Sequence, residues 1–559
     1  MSKLKDELVE RFKELTELAV LDEGDPQSFR VRAYENATYA ISGLTGDIAQ
    51  MSEKELVKVP GIGPSTAKKI REYVETGRIS KLEALRKKYP PEFVALTRIP
   101  GLGPKKVLLL RDALGIRNLD DLKAALEKQE IRHVKGMGEK TEENIRQALL
   151  RLGTTHKERR SPIAEVLPVA RRLVAALQGH EKVREVLYCG SLRRFRETIG
   201  DVDIVAASEA PREVMAEFVG LPEVKAVLAH GDTKSSVLVG GDLQVDLRVV
   251  PPRSFGAAVL YFTGSKAHNV KLRARAQQRG WTLNEYALTR IETGRVIAAR
   301  SEEAIYRKLG MPWIPPPMRE DTGEIEAAES TAGLPEVVRV EDLKGDLSLQ
   351  GDGLSREALE ALVTAAKARG LSYAALLTSE GSDGVATLRR AAASLPLVRW
   401  IGAEVEVGDG GEIPAEAGRG ADFVVARITH RPLEPDRQTQ RLVRAIADPR
   451  VRIVSHLCAR RIGESEALAF DVPSVLDALE EHRVALAVSG ELSALDAPPE
   501  IVRAAMERRI RVVLASEAAT PDALERLEYA SLCAQRGWCL RDRVLNTESV
   551  RSVSRWLSP

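Results

Sequence analysis

The stretch GSLRRFRETIGDVDIV, residues Gly190 to Val205, decides how the rest of the chain is read. It opens with a Gly-Ser pair after the apolar run Val186 to Cys189, passes through two arginines, and closes on Asp201 and Asp203 around one valine in a β-branched segment. Residues i and i+2 of a strand share a face, so this spacing predicts two carboxylates side by side. Such a pair repels itself unless a divalent cation lies between, and hard oxygen donors point to Mg²⁺ or Mn²⁺. The Gly-Ser turn offers backbone N–H groups and a hydroxyl next to Arg193 and Arg194, a cradle suited to phosphate. Metal and phosphate together mean phosphoryl or nucleotidyl transfer. Taken singly, each half has a plainer reading, a solvated strand end and an ordinary turn.

A third carboxylate follows from alternation. Val237 to Val239 and Leu243 to Val250 flank Gly240, Gly241 and Asp242, the pattern of a β-hairpin with a short glycine-containing loop. On the second strand Leu243, Val245, Leu247 and Val249 point one way and Gln244, Asp246 and Arg248 the other, so Asp246 could lie beside Asp201 and Asp203. Three carboxylates would hold two metal ions roughly 3.5–4 Å apart, one activating an attacking hydroxyl and one stabilising a leaving pyrophosphate. The bland alternative is a surface aspartate with an arginine partner.

GSLRRFRETIGDVD, then LQVDLRVVP, then YFTGSKAHNVKLR at Tyr261 to Arg273 together resemble a family X DNA polymerase, a small gap-filling repair polymerase of the nucleotidyltransferase superfamily. The likeness runs from the N-terminus to about Glu320. It implies Asp201, Asp203 and Asp246 as catalytic metal ligands, with Gly190, Ser191, Arg194 and Gly200 about the triphosphate. It further implies Tyr261, Phe262, Gly264 and Ser265 as the pocket that leaves no room for a ribose 2′-hydroxyl. Lys266 would add positive charge, Asn269 would meet the base edge and Arg273 the template side; residues to Trp313 and the prolines 315 to 317 would form a thumb-like closing subdomain.

Three near-copies punctuate the first 155 residues: VPGIGPSTAKKI, IPGLGPKKVLLL and VKGMGEKTEENI, each an apolar-glycine turn leading into a helix. Glycine permits a tight turn and close approach to a phosphate, which assigns Gly61, Gly63, Gly101, Gly103, Gly136 and Gly138 to DNA contact with Lys68, Lys105 and Lys106. These look like helix-hairpin-helix motifs gripping the backbone without reading sequence. In the third copy Glu139, Glu142 and Glu143 dilute the charge. Lys69 matches the family's Schiff-base lysine for a 5′-deoxyribose phosphate, with Tyr34, Arg30 and Arg32 near it; its plainer reading is a phosphate contact or a solvated lysine.

At 559 residues the chain exceeds one domain, and a net charge of +2 confines any DNA-binding surface to local clusters. Cys189, Cys458, Cys533 and Cys539 lack metal spacing and read as buried thiols; no apolar run approaches the length of a membrane span. Beyond Arg319 to Pro335, a Glu-, Gly- and Ala-rich linker, strand-like runs alternate with helices as in a parallel barrel. This part looks like the polymerase-and-histidinol-phosphatase (PHP) module of bacterial relatives, whose intact members bind about three Mn²⁺ or Zn²⁺ ions. Here Ser348 and Gln350, Thr378 and Ser379, Thr429, and Glu517 with Ala519 stand at ligand positions, while Glu404 and His456 remain and His430 is one place from a lost ligand. Serine and glutamine are poor substitutes at such a site, so a cluster is not expected.

The expected architecture is multidomain: an all-α lyase-like region 1–85, a helix-hairpin-helix subdomain 86–155, an α+β nucleotidyltransferase palm 156–257, a thumb-like subdomain 258–318, a linker 319–337 and a degenerate PHP-like α/β barrel 338–559. The expected activity is template-dependent DNA synthesis in gap repair with two Mg²⁺ or Mn²⁺ ions, on gapped or nicked DNA with deoxynucleoside triphosphates, by a monomer in the bacterial cytoplasm at the nucleoid. A non-catalytic DNA-end bridging protein and a template-independent terminal transferase are the alternatives.

Overall fold

The computed structural model describes residues 3–25, 28–43, 48–59, 61–99, 102–152 and 160–558. The chain divides into two compact units, 1–159 and 160–559. In the first, the described residues form helices without strands, and one apolar core runs from Leu8 to Ile145. The three glycine turns are superposable in their bonding: Ile62, Leu102 and Met137 each donate their N–H three residues back, to Val59, Ile99 and Val134 at 3.0, 2.9 and 2.8 Å. Each of these apolar residues is buried, which plugs the turn into the core and leaves Gly61, Gly63, Gly103, Gly136 and Gly138 outside. Gly61 adopts φ +95°, and a Cβ there would meet the Asn36 carbonyl at 3.1 Å, so the first turn admits only glycine without strain. Gly101 lies outside the described residues.

The second unit contains a five-stranded mixed sheet and a seven-stranded parallel sheet. In the mixed sheet Asp201–Ala207 lies between Glu185–Tyr188 and Leu243–Val250, the latter pairing onward with Lys234–Val239 and Val224–His230. The parallel sheet begins at Gly345–Gln350, ends at Val512–Ala515, and curls until its first and last strands meet; just past them, the Gln350 N–H donates to the Ala518 carbonyl at 2.9 Å. Its strands are buried on both faces, as a helix-covered α/β barrel requires. All four cysteines are buried and unbonded, and no described helix is long and apolar enough to cross a membrane.

The segment 319–337, expected to be a linker, is instead a packed element. Arg319 is fully buried, the helix Glu324–Glu329 buries Glu324, Ile325 and Ala328, and Val337 joins the same apolar cluster as Trp538. The cause of the misreading is physical: this stretch is anchored by ion pairs, Arg319 to Glu302 at 2.6 Å and Glu324 to His268 at 2.7 Å, which leave no apolar periodicity.

Barrel and mixed sheet share a continuous apolar core. Across their junction Glu197 receives both terminal nitrogens of Arg460 at 3.1 and 2.9 Å, with Arg536 at 3.7 Å. Phe195 stacks on Tyr529 at 5.9 Å, and Arg171 donates to the Tyr529 hydroxyl at 2.6 Å. Glu197→Ala strands two arginines in a largely buried junction. It should cost on the order of 1–3 kcal/mol by urea unfolding, and Glu197→Gln about half of that.

Candidate active site

Asp201 and Asp203 stand on the strand Asp201–Ala207, whose buried alternates Val202 and Ile204 fix the opposite face. The neighbouring strand runs parallel, and Asp203 is the register partner of Asp246. Register partners on adjacent strands are separated by about 4.8 Å and share a face. The hairpin therefore delivers Asp246 beside Asp203, with Val245 and Leu247 turned into the core.

The electrostatics follow. Burial, then the charges of Asp201 and Asp246, push the Asp203 carboxyl up to about 7, against the pull of Lys234 and Arg194. Asp246 is held by Lys234 at 3.0 Å and by the Gln244 amide at 2.9 Å. Among the described residues no group of three or more His, Cys, Asp or Glu is gathered closely enough to hold a metal ion. The donors themselves fit a hard divalent cation: carboxylate oxygens that repel one another, with a lysine carrying the countercharge. Gly190 closes the near side. It takes φ +61°, and a Cβ there would lie 2.7 Å from Asp203 Oδ2, so its missing side chain is what lets the chain pass the carboxylate.

A cavity of ≈ 560 Å³ opens beside these acids. It is lined by Gly190, Ser191, Arg194, Asp201, Asp203, Tyr261, Phe262, Gly264, Lys266, Asn269 and Arg273. Gly200 lies next to Asp201 against the Arg160 guanidinium, and Ser265 caps the helix Lys266–Gln278 by accepting from His268 N–H. Neither of those two lines the cavity. Tyr261 and Phe262 meet edge to face at 5.2 Å, and the Arg248 guanidinium lies over the Phe262 ring at 5.4 Å. Asn269 donates to the Tyr261 carbonyl at 2.7 Å, and Arg273 to the Asn269 carbonyl at 3.3 Å, so each of these two side chains is tied to the backbone of another cavity residue.

Several cavity residues escaped the sequence reading. Arg160, Arg196 and Glu320 line it, and Glu320 binds Arg194 Nε at 2.9 Å. Glu302 grips Arg193 through two bonds at 3.0 and 2.8 Å and Arg319 at 2.6 Å. Burial works against the Glu302 charge, but Arg319 and Arg193 outweigh it and hold the carboxyl far below the ordinary range. No periodic signal marks such a pair. Lys234 was within reach: the hairpin sets Ser236 opposite Asp246, which makes Lys234 its diagonal neighbour on the same face.

In the first unit Lys69 is half-buried and donates to Ser65 Oγ at 2.8 Å, 5.6 Å over the Tyr34 ring. Burial lowers its ammonium pKa, opposed by Glu72 and helped by Arg30, Lys81 and Lys68. Lys68, Lys105, Gly63, Gly103, Gly136 and Gly138 are exposed and Lys106 half-buried. The third hairpin's Glu142 is buried against Arg132 at 2.7 Å, so it does not face a phosphate.

At the barrel's strand C-termini, Glu404 meets Arg427 at 3.3 Å and His456 meets Glu517 at 3.0 Å. Burial opposes the His456 charge, but Glu517 wins and raises it; burial likewise opposes Glu517, which His456 holds low. Asp346 is buried and accepts from Ser348 and Ser516.

The Asp203 carboxyl, raised from 3.8 to about 7, favours the fold below pH 4, and that contribution is lost as pH rises through 7. Asp203→Asn should therefore stabilise the chelator-treated protein at pH 8 by on the order of 1–3 kcal/mol, and change little at pH 4, in thermal melts.

Comparison with known proteins matches residues 4–79 to a helix-hairpin-helix domain, 93–149 to a SAM-like helix-hairpin-helix tandem and 258–320 to the DNA polymerase beta thumb. DNA polymerase lambda from Rattus norvegicus is 25% identical over 52% of this chain and 52% of its own length, and that from Arabidopsis thaliana 26% over 47% and 53%. DNA polymerase/3′-5′ exonuclease PolX from Bacillus subtilis is 31% identical over 95% of both chains. The chain thus belongs to the family X DNA polymerases, as a bacterial PolX-type member with an α/β barrel at its C-terminal end.

Proposed function

We propose that this chain is a template-dependent DNA polymerase that adds deoxynucleotides to a primer 3′-hydroxyl across short gaps in repair. The observation that carries it is the register pairing of Asp203 with Asp246, with Asp201 two residues away, at the edge of a cavity lined by Ser191, Arg194 and Lys266. Asp201, Asp203 and Asp246 would hold two Mg²⁺ or Mn²⁺ ions, which when bound supply Lewis-acid activation of the primer hydroxyl and of the leaving pyrophosphate.

The chain's own groups divide the remaining tasks. Arg194, held by Glu320 and by the Thr263 carbonyl, presents a fixed guanidinium to the triphosphate, and Ser191 offers a hydroxyl beside it. Lys234 neutralises Asp246 before substrate arrives, so carboxylate repulsion does not spread the strands. Tyr261 and Phe262 form a wall braced by Arg248, and a braced wall rejects an added 2′-hydroxyl better than a mobile one. Asn269 and Arg273 sit one helical turn apart, suited to the nascent pair and the template. The exposed hairpin glycines and lysines would hold gapped or nicked duplex by its phosphates. A monomer suffices for this, acting on nucleoid DNA in the bacterial cytoplasm. The barrel mouth would carry no Mn²⁺ or Zn²⁺ cluster and no nuclease activity: Arg427 and His456 already pair with Glu404 and Glu517 there.

On a one-nucleotide gap with Mg²⁺ or Mn²⁺, Asp246→Ala should lower extension by about 10³-fold or more while gapped-DNA affinity changes less than threefold. Full extension by that variant would refute the assignment; extension of a lone single-stranded primer would favour a terminal transferase, and wild-type binding without extension an end-bridging protein.

Lys69 supports a second activity, removal of a 5′-deoxyribose phosphate through a Schiff base, because burial depresses its pKa beside Tyr34. Borohydride should trap wild-type protein on an incised abasic duplex, and Lys69→Ala should cut the adduct at least about tenfold. An undiminished adduct would remove Lys69 from that role.

A further inference from the structure

The barrel's C-terminal mouth carries the ion pairs of Glu404 and His456, and its opposite mouth holds a strongly basic cavity. A cavity of ≈ 830 Å³ lies at the N-terminal ends of the strands Val451–Ser455, Ala485–Ser489 and Val512–Ala515, lined by Arg452, Arg483, Arg509, Arg511, Arg555 and Trp556. Two carboxylates share the lining, Glu480 and Glu548, so five guanidiniums against two acids leave a net charge of +3. Glu548 is engaged by Arg511 at 2.7 Å, and Glu480 accepts from the Arg509 backbone N–H at 3.3 Å. The Arg452 guanidinium reaches only backbone carbonyls, of Leu557 and Val451.

Arg483, Arg509 and Arg555 are exposed at the rim, whereas Trp556 is half-buried and packs its other side against the barrel core. Arginines crowded around one opening repel each other, and an anion is what relieves them. The volume falls within the range of about 300–1,000 Å³ typical of organic ligands, too roomy for a single inorganic phosphate. A cationic rim with one aromatic face is the combination that binds an unpaired strand: phosphates follow the guanidiniums and a base stacks on the ring.

We propose that this mouth of the barrel is a second nucleic-acid site, which binds single-stranded DNA with its phosphates on Arg483, Arg509 and Arg555 and a base on Trp556. The site lies at the end of the barrel remote from Glu404 and His456 and contains none of the residues assigned to synthesis.

The test uses the full chain and a twelve-nucleotide thymidine oligomer carrying 5-iododeoxyuridine, photocross-linked and mapped by mass spectrometry. The expected adduct lies on the helix Val550–Leu557 at Trp556. The combined variant Arg483→Asn, Arg509→Gln, Arg555→Gln should reduce its yield about tenfold and leave one-nucleotide gap filling unchanged. Asparagine is chosen at 483 because that residue has φ 56°, which asparagine tolerates. No wild-type adduct at Trp556 overturns the proposal, whatever the variant's stability, and so does an undiminished adduct in a variant that melts like wild type. Displacement by free deoxynucleoside triphosphate as effective as by unlabelled oligomer would also overturn it, since the site would then take small polyphosphates and not a strand.

Discussion

Two carboxylates in register on adjacent parallel strands repel, and the second unit is arranged around that repulsion. Like charges directly opposite one another in a sheet are destabilising, yet Asp203 faces Asp246 with Asp201 close by. What holds them is the other side of the same strands: Val202, Ile204, Val245 and Leu247 are fully buried, and slipping either strand by one residue would turn that set out to solvent. The register that buries the core is the register that crowds the acids. Lys234 offsets part of the charge, and burial together with the remaining repulsion pushes the Asp203 carboxyl up to about 7.

A second ring of charge fixes the cavity wall to its surroundings. Glu302 joins Arg193 of the turn after Cys189 to buried Arg319, and Glu320 joins Arg194 to the same segment. Glu197, three residues beyond Arg194, is clamped by Arg460 from the barrel, and Phe195 lies on Tyr529. The turn that carries Ser191 and Arg194 is therefore held from two directions. The barrel contributes to this with its own core: taking it away would expose the apolar cluster it shares with the mixed sheet and leave Glu197 without its arginines.

The sequence was legible wherever function rests on spacing. Asp201 and Asp203 two apart, Asp246 on the polar phase of a hairpin, and three glycine turns at the heads of helices all follow from strand and helix periodicity, and the described residues adopt those elements. It was illegible wherever stability rests on buried charge. Arg319, Glu302, Glu324 and His268 pair across gaps of 17 and 56 residues, and a Glu- and Ala-rich stretch gives no sign that one of its ends is the most buried arginine in the unit. The two wrong weightings share that cause. The supposed linker is an ion-paired element, and Glu142, expected to dilute the charge of the third hairpin, is an internal anchor for Arg132.

The same electrostatics separates the two acidic clusters of the second unit. In the mixed sheet the neighbours that raise Asp203 after burial are other acids, so a divalent cation arriving there meets uncompensated negative charge. At the barrel mouth the chain supplies cations of its own: His456 holds Glu517 ionised, while burial raises Glu404 and Arg427 offsets part of that rise. A metal ion entering there would have to displace an imidazolium to gain Glu517 and a guanidinium to gain Glu404, and Ser348 and Thr378 would offer it hydroxyls that bind far more weakly than imidazole. Three acids crowded around one lysine leave more repulsion to relieve than Glu404 and Glu517, which have a guanidinium at 3.3 Å and an imidazole at 3.0 Å.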